Sequence, residues 1–108
     1  MVPEVVWTAG AERDLLGIYF QLFDAFEGDA DLISRVLRQP LQSALGLIVQ
    51  HPEAGAKVKH TKGVRRWLLG PQRRYGLFYF VESWGIVIHA ILDMRQNPET
   101  IWKRLRGN

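Results

Sequence analysis

Cysteine is absent from the 108 residues, which excludes disulfides, thiolate metal sites and thiol catalysis and suits a cytosolic chain that is stable on its packing alone. No apolar run approaches the ~18 residues of a membrane span. The opening MVPEVVWTAG also lacks the basic and apolar regions of a signal peptide, so the expected location is the cytoplasm. The three histidines, at 51, 60 and 89, have no ligand spacing and no paired carboxylates beside them, and no metal site is expected. The glycines form no phosphate-cradling loop, and there is no serine nucleophile elbow. No cofactor is expected, and neither an internal repeat nor a low-complexity tract is present.

What is there fits one globular domain over residues 1–108. The chain is 47% hydrophobic and 23% charged, with five Phe, four Trp and three Tyr, which rules out a disordered or fibrous chain. A formal net charge of +3 hides a split. Residues 1–56 carry three basic and eight acidic side chains, whereas residues 57–108 carry eleven basic and three acidic. Within 57–74, Lys57, Lys59, Lys62, Arg65, Arg66, Arg73 and Arg74 occur with no Asp or Glu. Clustered, unopposed charge of this kind attracts phosphates or acidic proteins, although a solvated basic face is the plainer alternative.

Glu4 to Trp7 reads as a short strand, with Thr8 as the cap of a helix from Ala9 to Phe26. On that helix Leu15, Leu16, Ile18, Tyr19, Phe20, Leu22, Phe23 and Phe26 span roughly 200° of arc at ~100° per residue. One buried face needs about half of that. The surplus packs on a second element or receives an amphipathic segment of another protein. Asp29 caps a second helix to about Gln50, antiparallel to the first, with a kink or break expected at Pro40. HPEAG (51–55) ends it.

Beyond the basic loop the period changes to two, predicting strands at Arg66–Leu69, Tyr75–Glu82 and Ile86–Met94. A three-residue loop, Ser83 to Gly85 with Gly85 left-handed, places Glu82 opposite Ile86, Tyr79 opposite His89 and Tyr75 opposite Asp93. Phe78, Phe80, Ile86, Ile88, Ala90 and Leu92 then share one face, and Arg95 lies on the other. Asn97 and Pro98 open a short terminal helix, Glu99 to Arg106, that carries Trp102, Lys103, Arg104 and Arg106. The expected architecture is α+β: a two-helix N-terminal hairpin on one face of a small twisted antiparallel sheet, a short C-terminal helix, and a concave, basic second face.

The order of these elements, with AERDLLGIY (11–19), HPEAG (51–55), KGVRRWLL (62–69), YGLFYFV (75–81) and IVIHAILDMRQNPETIWKRL (86–105), resembles the RelE/ParE superfamily of type II toxin-antitoxin toxins. The likeness spans almost the whole chain. It implies a cognate, ParD-like antitoxin, whose amphipathic segment would lie along Leu15, Tyr19, Phe20 and Phe23. The ParE-like branch binds DNA gyrase and blocks replication. Its docking surface here would comprise Lys57, Lys59, Lys62, Arg65, Arg66, Arg73, Arg74, Arg95 and Trp102.

The RelE-like branch cuts mRNA on the ribosome, which needs a base, an acid and cations around the phosphorane. By that likeness Lys57 and Lys59 fall in the loop where some of those enzymes place catalytic lysines, Arg65 or Arg66 matches the strand arginine, and Arg95 the arginine ending the last strand. The tyrosine or histidine that many such enzymes carry just after the last arginine is missing from 96–106. Tyr79 or His89 is the available substitute, with a satisfied structural role the plainer reading for a strand histidine. Asp93, two residues before Arg95, is placed to pair with it and to weaken it as a phosphate ligand. The resemblance therefore favours a gyrase inhibitor over a ribosome-dependent endoribonuclease.

Overall fold

The structure, a computed structural model, describes residues 3–106. After strand β1 (Glu4–Trp7), the Thr8 hydroxyl accepts the Ala11 amide hydrogen at 3.0 Å and caps helix α1 (Ala9–Ala25). The chain reverses through Gly28, at φ 76°, where a glycine avoids the steric cost of the left-handed region. Asp29 Oδ1 then accepts the amides of Asp31 and Leu32 at 3.1 and 3.2 Å and caps α2 (Ala30–Ile33). Residues Ser34–Arg38 continue as a π-turn into α3 (Gln39–Gln50).

Pro40 does not break this second arm; the irregularity expected there takes the form of the π-turn that precedes it. Its missing N–H removes the bond to the carbonyl of Val36, and its ring crowds that same group. The chain answers by widening the preceding turn, so that the Gln39 amide donates to Ser34. Backbone angles at Ile33, Ser34, Arg38 and Gln39 all stay helical.

The remaining strands are β2 (Ala56–Lys57), β3 (Arg65–Leu69), β4 (Tyr75–Glu82) and β5 (Gly85–Asp93), in the spatial order β1-β5-β4-β3-β2. The β2/β3, β3/β4 and β4/β5 pairs are antiparallel, but β1 runs parallel to β5, so the sheet is mixed. Nothing local fixes the sense of β1, because its partner lies some eighty positions along the chain. The two backbones approach so closely that a Cβ at Gly85 would strike the Glu4 carbonyl oxygen. Strand β2 has no counterpart in the sequence reading; at two residues it is too short to show a period.

The β4–β5 register also differs from expectation. The turn is Ser83–Trp84 alone, Glu82 pairs with Gly85, and Gly85, at φ 158°, lies close to extended backbone instead of at the expected left-handed turn position. An irregularity between Phe78 and Tyr79 absorbs the one-residue offset, so Tyr75 still faces Asp93 while Tyr79 faces Ile88 rather than His89. One slipped residue exchanges faces. Ile86 and Ile88 therefore join Leu77, Tyr79 and Ile91 against the helices, where they pack with Ile18, Leu22, Leu37 and Ile48. Burying each such aliphatic side chain contributes about 1.5–3 kcal/mol.

The other face is not a basic hollow. Phe78, Ala90 and Leu92 form a second core with Val64 and Leu105, flanked by Val58, Phe80, Met94 and Ile101. Its lid is helix α4 (Pro98–Arg106) together with the Val58–Val64 loop. Asn97 Oδ1 accepts the Glu99 amide at 2.9 Å and starts α4. Arg104 then clamps it, donating to Asp14 Oδ2 at 2.9 Å and to the His89 carbonyl at 3.2 Å. Asp14 Oδ2 also accepts the Ile91 amide at 3.3 Å, so α1, β5 and α4 meet at one carboxylate. Among the described residues no helix is long and apolar enough to cross a membrane.

Candidate target surface and partner groove

The sheet distributes the basic residues over two regions instead of one. Arg65 and Arg66 alternate across β3. Arg65 turns toward the end of α3, where its Nη1 donates to the carbonyls of Gly55 at 2.8 Å and Glu53 at 3.1 Å. Through Nη1 it staples the turn after α3. Half-buried Arg66 shares a shallow pocket of about 260 Å³ with Arg73, beside Trp67 and Leu68. Arg73 also borders a larger cleft, of about 380 Å³, with Arg74, Arg95, Met94, Phe26 and Val36. The turn that presents it is strained, since Gln72 and Arg73 both sit at φ 56° after Gly70 at φ 85°. The four arginines 66, 73, 74 and 95 thus line two linked depressions at one end of the sheet.

Lys59 and Lys62 lie elsewhere, on the exposed loop that roofs the back of the sheet, and Lys57 is on the edge strand β2. Trp102 belongs with the loop: its ring meets that of His60 edge-on at 6.2 Å, and the Arg106 guanidinium lies over it at 5.4 Å. Exposed Arg106 extends this patch, and exposed Lys103 also lines a pocket of about 520 Å³ with Thr8, Arg13, Asp14 and Arg104. The sequence reading counts the terminal helix in the docking surface, but names only Trp102 from it. The signal for Arg106 was available in the spacing: Trp102 and Arg106, four apart, share one helix face.

Asp93 organises the arginine cleft. Its Oδ1 accepts the Arg95 amide at 2.9 Å and Nε at 3.1 Å, and its Oδ2 accepts Arg95 Nη2 at 2.9 Å and Arg74 Nε at 3.3 Å. Burial pushes the carboxyl up, but these hydrogen bonds outweigh it and hold the group below its ordinary value. Arg95, hydrogen-bonded to that carboxylate, is raised in turn. The Arg95–Asp93 pairing matches the sequence expectation. Arg74 adds to it, and also lies over the Tyr75 ring at 5.1 Å.

Both groups considered for proton transfer are engaged in the fold. Tyr79 is fully buried, its hydroxyl donating to Pro52 O at 2.8 Å and accepting from the Gly55 amide at 2.9 Å. Burial raises its pKa, against the opposing pull of that Gly55 bond and of nearby Arg65. His89 is 9% exposed, packs edge-on to Phe80 at 5.4 Å, and sets Nε2 3.4 Å from the Leu105 carbonyl. Neither faces the arginine cleft. Among the described residues no three His, Cys, Asp or Glu side chains converge as metal ligands.

The first helix presents its surplus apolar surface to solvent. Phe20 is 61% exposed, Phe23 51%, Tyr19 43% and Leu16 53%. Leu15 is half-buried and packs on the front core. With Tyr19 it lines an apolar groove of about 240 Å³ against Ile33, Leu37, Arg38 and Leu41 of the second arm. The stripe and the groove are continuous around α1, because 15 and 19 neighbour 16, 20 and 23 on the helix surface.

No family model matches the sequence, and no curated protein matches it. Solved structures do. A chain of the chromosomal ParDE toxin-antitoxin system from P. aeruginosa superposes with a TM-score of 0.66 at 22% identity, covering 85% of this chain and 96% of that one. The architecture is therefore the ParE-like fold that the order of elements implied.

Proposed function

We propose that this chain is the toxin of a type II toxin-antitoxin pair. It acts in the cytoplasm as a ParE-like inhibitor of DNA gyrase, and a cognate antitoxin neutralises it by covering α1 and the groove beside it. The ParE-like fold supports the class. The observation that carries the choice of target is the engagement of Tyr79 and His89. Phosphodiester cleavage needs a proton acceptor and a donor at the reacting phosphate; here Tyr79 is buried on two backbone contacts, and His89, 3.4 Å from the Leu105 carbonyl, lines a separate pocket with Arg13 and Arg104, so neither borders the cleft of Arg73, Arg74 and Arg95. A gyrase inhibitor needs no such shuttle, only a cationic docking surface, which the clefts around Arg66, Arg73, Arg74 and Arg95 supply.

The purified chain should stop supercoiling of relaxed plasmid by gyrase at near-stoichiometric amounts, and Arg73→Ala with Arg95→Ala should relieve the block. Full supercoiling in the presence of excess chain would refute the target. Cleavage of mRNA at codon positions in a translating extract would assign the chain to the ribosome-dependent nucleases instead.

A further inference from the structure

We infer that the back of the molecule, formed by the Val58–Val64 loop and α4, is a binding surface for the phosphodiester backbone of duplex DNA. This rests on the gyrase reading above, and it adds a contact to the DNA that gyrase holds. Two elements far apart in sequence are brought together here by the second core, in which Val58 and Val64 pack with Ile101 and Leu105. Their outward residues are Lys59, His60 and Lys62 from the loop, and Trp102, Lys103 and Arg106 from the helix. The His60–Trp102 contact shows the two sets adjoining.

Four of these residues carry full positive charge, and none of the four has an ion-pair partner among the described residues. The three salt bridges there engage Arg74, Arg95 and Arg104 instead. Exposed Glu99, one helical turn before Lys103, and Asp14, which borders the same pocket as Lys103, offset part of this charge; the excess that remains attracts a polyanion, and phosphate neutralisation releases its condensed counterions.

The aromatic component decides between a duplex and an unpaired strand. Single strands are held by bases stacking on open rings. Trp102 is a poor platform, since it is half-buried, Arg106 lies over a face and His60 packs against it at a steep angle. The remaining back-face rings, Phe78 and Phe80, are buried or packed against His89. Point charges without a stacking surface suit the regular phosphates of a double helix, read without sequence preference.

The test is fluorescence anisotropy of the purified full chain with a labelled 20-base-pair DNA duplex, in the absence of gyrase, from 50 to 200 mM salt. Four phosphate contacts give a log–log salt slope of about −3.6. Lys59→Gln with Lys62→Gln should bring the slope to about −1.8 and weaken binding roughly tenfold or more at 0.1 M salt. Lys103→Gln with Arg106→Gln should do the same from the other element, and both variants should keep the parent thermal midpoint.

Absence of duplex binding at 50 mM salt would overturn the inference. So would retention of affinity in the variant combining all four substitutions, or tighter binding of single-stranded DNA or of RNA. Supercoiling assays on the same variants separate the two readings. DNA binding without gyrase inhibition would remove the target and keep the surface, and inhibition without DNA binding would do the reverse.

Discussion

The carboxylate of Asp93 holds Arg95 by three hydrogen bonds, two from the guanidinium and one from the backbone amide, and takes a fourth from Arg74 across the strand pair. The anion is favoured by these bonds, so the folded pKa lies below the unfolded value of about 3.9. A depressed acid contributes stability that is present above the unfolded pKa and lost as pH falls through the folded one. Urea midpoints of the parent chain should therefore drop as pH falls below about 4. Asp93→Asn should begin lower at pH 7 and lose that part of the acid dependence. An unchanged acid limb in the variant would show that other carboxylates carry it.

Two buried tyrosines make opposite predictions for the same substitution. Tyr79→Phe leaves the buried Gly55 amide without its acceptor and Pro52 O without its donor, and should cost about 1–3 kcal/mol in urea denaturation. The Tyr75 hydroxyl is buried with no hydrogen-bond partner among the described residues. Tyr75→Phe should be neutral or mildly stabilising, since it removes a desolvated polar group that nothing compensates. Burial also raises both phenols. A phenol raised on folding contributes stability below its unfolded pKa, near 10, that is lost as pH climbs through the folded value. Absorbance titration should accordingly show two tyrosines ionising late.

Arg104 should matter to α4 more than any residue of its surface. Arg104→Ala frees the helix from Asp14 and the His89 carbonyl together, and should cost about 1–3 kcal/mol. Hydrogen exchange over residues 99–106 should accelerate selectively. Asp14→Asn should be milder, because an amide oxygen still accepts from the Ile91 amide.

How much of this was legible in the sequence depended on how local each cause was. The caps at Thr8, Asp29 and Asn97 and the stripe on α1 follow from residues within a turn of one another, and the sequence reading found them. The parallel sense of β1 depends on Glu4 meeting Gly85, a contact that no window contains. The register failed at one residue. A two-residue turn and an irregularity at Phe78/Tyr79 cancel by Tyr75, so the strand ends looked right while Ile86 and Ile88 changed sides.

The basic hollow failed for a related reason. Phe78, Phe80, Ala90 and Leu92 form an apolar face by alternation, but nothing local in the sequence shows that α4 covers it. The cations then moved to the rims and to the outside of that cover. Arg65 is the instructive case: charge alone marked it as a ligand, and only the fold shows the two carbonyls it holds.

The α1 stripe allows binding to be separated from folding. Leu16, Phe20 and Phe23 are each about half exposed or more, so replacing all three by Ser removes little buried area and should shift Tm by only a few degrees. Leu15 supports the front core as well as the groove, and Leu15→Ala should cost about 1–2 kcal/mol through lost packing. If an antitoxin segment lies over this side, the triple serine variant should stay folded, remain toxic on induction, and escape rescue by the co-expressed antitoxin. Calorimetry with that antitoxin should show the loss of affinity directly, and rescue at parental strength would place the neutraliser on another face.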